Sequence, residues 1–118
     1  MVLRLAWCTP FGPRSDIGAF SRNLLAAARR EHAGRVAAIP VIPPEDAGYF
    51  AEGPRLSLDD RFESDVLDAF DHPVFNVGND PVSLGRINRL ALARPGVVIL
   101  HDVVLHPALA AAAFEGAG

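Results

Sequence analysis

Four short apolar runs, Val2–Cys8, Val36–Ile42, Val74–Val77 and Val97–Leu100, are the strongest constraint on the fold. Arg4 and Asn76 aside, little polar material interrupts them. A strand buried on both faces reads this way, because neither face alternates with solvent. Between the runs, apolar residues recur at helical spacing. Ile17, Phe20, Leu24, Leu25 and Ala28 mark one face of a helix from Ile17 to Glu31, which Ser15 or Asp16 can cap and Gly34 ends. Leu84, Ile87, Leu90 and Ala91 mark a second helix, with Asp80 as its cap, Pro81 in its first position and Pro95-Gly96 as its break. Phe62, Val66, Ala69 and Phe70 suggest a short amphipathic helix before the third run. Residues 43–60 read as a long loop with a brief extended piece at Leu56–Leu58. A last helix is predicted from His106 to Glu115, with Pro107 in its first turn.

Strands alternating with helices predict an α/β fold: a Rossmann-like, mostly parallel open sheet with helices on both faces. Nothing up to residue 118 would cover the outer edge of the last strand, so the reading expects the domain to be incomplete at its C-terminus. The chain has 118 residues, enough for one domain, and half of them are hydrophobic, which argues against global disorder. The net charge of −3 and the absence of a basic patch argue against nucleic acid as a partner. Arg29 and Arg30 suit the C-terminal end of the first helix. Cys8 is the only cysteine, which excludes an intramolecular disulfide and makes a cysteine-based zinc site implausible. The apolar start is too short for a signal-peptide core, and no run approaches the roughly 20 residues of a membrane span. The expected location is cytoplasmic, with contact to the inner membrane face left open.

In an open parallel sheet, ligands bind beyond the carboxyl ends of the strands. Thr9–Gly18, Gly78–Pro81 and His101–His106 would gather there. Gly12 and Gly18 do not fit the dinucleotide or P-loop patterns, which disfavours an ordinary nicotinamide or ATP site. The turn through Ser15, Asp16, Ile17 and Gly18 leads into a helix N-terminus whose free N–H groups suit a phosphate or a sugar hydroxyl. Asp16 would oppose an anion there. An ordinary cap and turn accounts for the same residues. His101 and Asp102, at a strand end, offer a histidine with a neighbouring acid. Successive side chains on extended backbone point apart, so a direct pair is not assured, and a capping Asp102 is the alternative. His101 and His106 lack an evident third metal ligand. Gly78 and Asn79 form a turn that tolerates special backbone geometry or meets a ligand. Cys8 reads as a small core residue rather than a nucleophile.

Three blocks resemble the N-terminal, acceptor-side domain of family-4-like retaining glycosyltransferases of the GT-B fold. Leu5-Ala6-Trp7-Cys8-Thr9-Pro10 followed by Ser15-Asp16-Ile17-Gly18-Ala19-Phe20-Ser21 resembles the family's opening, which often reads S-G-I-A-D-Y-S after a proline-rich loop. Phe75-Asn76-Val77-Gly78-Asn79 resembles Y-N-L-G-N, and Pro95-Gly96-Val97-Val98-Ile99-Leu100-His101-Asp102 resembles P-G-V-V-V-L-H-D. Order and spacing agree over almost the whole chain. The resemblance implies two Rossmann-like domains across a cleft, the second holding a nucleotide-sugar donor, and transfer with retention and without a tightly bound metal or other cofactor. It places His101 where the family's histidine contacts the donor sugar, and Ser15–Gly18 against the acceptor or the donor phosphates. Asp16 stands where glycine is commoner and Ala19 where aspartate is, with Gly18 restoring flexibility one step later. The C-terminal domain and its E-x7-E motif are missing, so the piece is expected to be inactive alone. Two rival readings are a complete, non-catalytic Rossmann-like binding or interaction domain, and a stand-alone enzyme of another class using His101 and Asp102.

Overall fold

A computed structural model describes residues 1–50, 53–78 and 81–101. The elements run β1 (Leu3–Cys8), α1 (Asp16–Glu31), β2 (Val36–Ile42), a 3₁₀ turn (Pro44–Tyr49), β3 (Leu56–Ser57), a second 3₁₀ turn (Ser64–Ala69), β4 (His72–Val77), α2 (Pro81–Ala93) and β5 (Val97–Leu100). All five strands are parallel, in the order β3-β2-β1-β4-β5. This is the open Rossmann-like sheet that the alternation predicts. The helix predicted from His106 lies outside the described residues, as do Asn79, Asp80 and Asp102.

β1 divides two cores. Ala6 and Cys8 face one side, with Val41, Phe75 and Val77 of the neighbouring strands and Leu84, Ile87 and Leu90 of α2. Leu58 and Leu67 close that core from the segment before β4. Leu5 and Trp7 face the other side, with Ile42, Val74, Phe50 and Leu24 and Leu25 of α1. The helices therefore cover opposite faces. Topology explains this: α1 leads from β1 outward to β2, whereas α2 leads from β4 outward to β5, in the opposite direction. Ile17, in the first turn of α1, joins the α2-side core instead of the α1-side one.

Two prolines sit inside strands. Pro40 pairs with Trp7, but β3 reaches β2 only at Val41 and Ile42. Pro73 pairs with Ala6, but β5 reaches β4 only from Val74 onward. Each proline lies where its strand has a single neighbour, so no second ladder needs its missing N–H. β4 consequently starts at His72, two residues before the apolar run Val74–Val77.

α1 begins where Ser15 caps it, its hydroxyl accepting from Gly18 N at 3.0 Å. Its buried residues are Ile17, Gly18, Ser21 and Leu25. Phe20, expected on the apolar face, is 40% exposed. The difference comes from Ser21. Trp7 Nε1 donates to its hydroxyl at 3.0 Å, and Ser21 and Thr9 share a second hydrogen bond. Thr9 in turn donates to the Pro10 carbonyl at 2.7 Å, so Ser21 donates to Thr9 and the chain of donors runs one way. A fully satisfied serine is buried, which turns Phe20 toward the rim.

Candidate functional site

The chain leaves β1 toward one edge of the sheet and leaves β4 toward the other, so the crevice between their carboxyl ends is the topological switch point. An open cavity of about 850 Å³ lies there. The β1–α1 turn contributes Gly12, Pro13, Arg14, Ser15, Asp16 and Ile17. The first 3₁₀ turn adds Glu45, Asp46 and Tyr49, α2 adds Leu84, and the end of β5 adds His101.

The β1–α1 turn is held from several sides. Thr9 N donates to Val41 O at 3.0 Å, Phe11 N to Asp46 Oδ2 at 2.9 Å and Ser15 N to Gly12 O at 3.1 Å. Arg22 donates to the Phe11 carbonyl at 3.2 Å and stacks its guanidinium over the Phe11 ring, 5.0 Å from the centroid. The Phe11 ring meets Phe50 edge-on at 5.3 Å. Gly12 permits the approach of Asp46, because an added Cβ would stand 3.1 Å from Asp46 Oδ1. The wall is thus set before any ligand arrives.

The opposite wall is built around an amide. Asn76 is fully buried near the end of β4. Its Nδ2 donates to Cys8 O at the end of β1, at 2.9 Å. Its Oδ1 lies 3.0 Å from His101 Nε2, just past the end of β5. His101 N also donates to Val77 O at 3.1 Å. Phe20 flanks the imidazole edge-on, with centroids 5.1 Å apart, and lies 6.5 Å from Trp7. Deeper, Asn88 is buried in α2 and its Nδ2 donates to Gly78 O at 3.1 Å, which fastens the β4–α2 turn.

Of the residues singled out from sequence, Ser15, Asp16, Ile17 and His101 meet in this cavity. Ser15 spends its hydroxyl on the helix cap. Asp16 is exposed in the first turn of α1. Ile17 is largely core. Gly18 has no positive φ, so backbone flexibility is not its role. An added Cβ would lie 3.1 Å from Gly12 O and 3.3 Å from the Phe11 backbone. Gly18 therefore lets the helix press against its own entry loop. Gly78 is buried and anchored by Asn88. Asn79 and Asp102 lie outside the described residues. Sequence reasoning passed over Asn76, Phe20, Glu45, Asp46 and Tyr49. The one available signal was Asn76, an amide in an otherwise apolar strand, where an unpartnered polar side chain would be costly.

Among the described residues, the rim carries Asp16, Glu45 and Asp46 against one cation, Arg14. Carboxylates accept hydrogen bonds and repel anions, so this rim suits hydroxyl or ammonium groups better than phosphate. The nearest thiol offers no nucleophile: burial pushes Cys8 up from 9.0 to about 12, which keeps it protonated. Among the described residues, no cluster of histidine, cysteine or carboxylate side chains could hold a metal ion. No described helix is long and apolar enough to cross a membrane. No protein-family model, curated protein or solved structure matches the chain.

Proposed function

We propose that this chain is the acceptor-side part of a glycosyltransferase that moves a sugar from an activated, nucleotide-linked donor to an acceptor hydroxyl with retention. One observation carries the reading: Ser15, Asp16 and Ile17 on one side and His101 on the other, which belong to separate blocks resembling that family, face one open cavity at the switch point. Such transfer breaks the bond between the anomeric carbon and the donor phosphate oxygen and forms one to the acceptor oxygen, whose proton passes to the departing phosphate. Ground-state phosphate would be badly received at the acidic rim, which supports assigning this wall to the acceptor. The donor's nucleotide then belongs to a facing domain. His101, held by Asn76, lines the same cavity, which supports assigning it the contact to a sugar hydroxyl.

Two measurements test the proposal. In the chain itself, amide NMR titration with mono- and disaccharides at tens of millimolar should perturb Ser15–Ile17 and His101. A panel that leaves all of them unmoved would remove the acceptor role. In a polypeptide joining this chain to a family C-terminal domain, His101→Ala should lower kcat by roughly 10²–10³-fold, the loss typical of one preorganised hydrogen-bonding group.

A further inference from the structure

We propose that Asn76 is the positioning residue that sets the tautomer of His101, so that the neutral imidazole carries its proton on Nε2. Cys8 fixes which way the amide faces. Its backbone carbonyl has lone pairs and no proton, so the Asn76 atom 2.9 Å away has to be the NH₂ group. The amide cannot be turned around without setting two carbonyl oxygens against each other in a buried place. Asn76 Oδ1 therefore faces His101 Nε2, at 3.0 Å. An amide oxygen accepts and cannot donate, so Nε2 has to carry hydrogen, whether the ring is neutral or charged. Burial makes the preference strong, because Asn76 is fully enclosed and water cannot replace a lost partner.

Geometry supports a positioning role over a merely structural one. Asn76 connects the ends of three adjacent strands: it lies in β4, binds the last residue of β1 and reaches the residue that follows β5. The ring is further steadied by Phe20, edge-on at 5.1 Å, from a different element. A histidine so held presents one tautomer in one ring orientation, in place of two interchangeable nitrogens. The tautomer assignment stands on the hydrogen bonds alone. Only its use in sugar transfer rests on the proposed function.

Nitrogen-15 NMR of the imidazole in the full chain reads the tautomer directly. The neutral ring of His101 should show Nε2 protonated and Nδ1 unprotonated, with an Nε2–H proton that exchanges slowly enough to be observed. Asn76→Ala should abolish that slow resonance and admit the second tautomer, because the acceptor is gone. Asn76→Asp should keep the Nε2–H resonance, since a carboxylate accepts equally well, although it loses the donor to Cys8. A wild-type ring protonated on Nδ1 in its neutral form overturns the inference without need of any variant. So does a folded Asn76→Ala protein whose ring signals match the wild type. Neither result depends on transferase activity, so the inference and the proposed function fail separately.

Discussion

Gly96 and Gly34 make opposite demands on the same substitution. At Gly96, a Cβ would stand 2.7 Å from both Pro73 O and Phe75 Cε2. Backbone and a buried ring cannot give way cheaply, so Gly96→Ala should cost about 1–3 kcal/mol in urea unfolding. At Gly34 nothing lies within 4 Å and φ is not positive, so Gly34→Ala should stabilise by about 0.4–1 kcal/mol through a stiffer unfolded chain. Equal effects from the two would contradict the close approach at Gly96. Cys8 allows a second residue-scale test. Its folded-state value of about 12 stands above the ordinary 9.0, so the folded chain holds a proton that the unfolded chain releases between those values. Stability from this group is complete below pH 9 and is lost as pH rises toward 12. At pH 8 a thiol reagent should label the native protein only as fast as it opens, and the denatured protein at once.

At the scale of elements, α1 shows which interactions decide an ambiguous residue. Ser15 caps the helix through Gly18 N, so Ser15→Ala should cost about 1 kcal/mol, and Ser15→Asp should restore most of it by accepting the same bond. Loss without rescue in thermal unfolding would argue against the cap. The apolar spacing of this helix was readable, but its rotation was not. The pattern Ile17, Phe20, Leu24 placed Phe20 inward, whereas Ser21 is the buried residue because Trp7 and Thr9 satisfy its hydroxyl. A polar partner in the preceding strand or the loop after it leaves no mark on local periodicity. Prolines and glycines bounded β2 and β5 well, since breakers act locally. The start of β4 at His72 was not readable from the apolar run, because Pro73 is tolerated only where β5 has not begun to pair. The turn at Pro44–Tyr49 is a single short 3₁₀ segment, too brief to print a period, yet it supplies three residues of the rim.

For the whole molecule, strand-helix alternation was enough to predict a parallel open sheet, and the rule for such sheets was enough to point at its carboxyl edge. The site's meeting of Asp16 with His101 was therefore legible, while the amide joining β1, β4 and β5 required coordinates. Among the described residues, β5 lies at the end of the strand order and exposes Val97, Val98 and Leu100, Leu100 to 63%. An apolar edge of this kind templates association. Val98→Lys should reduce concentration-dependent scattering while changing unfolding free energy by no more than about 0.5 kcal/mol, as for an exposed position. Undiminished scattering would exonerate the edge.

The central strand acts as a party wall between two separately furnished rooms. Alternate side chains of β1 answer to different helices. A change of volume behind Ala6 or Cys8 is felt through α2, one behind Trp7 through α1. A volume change on one face is therefore absorbed mainly on that face, with Ile17, the α1 residue that packs on the α2 side, as the point where the two communicate.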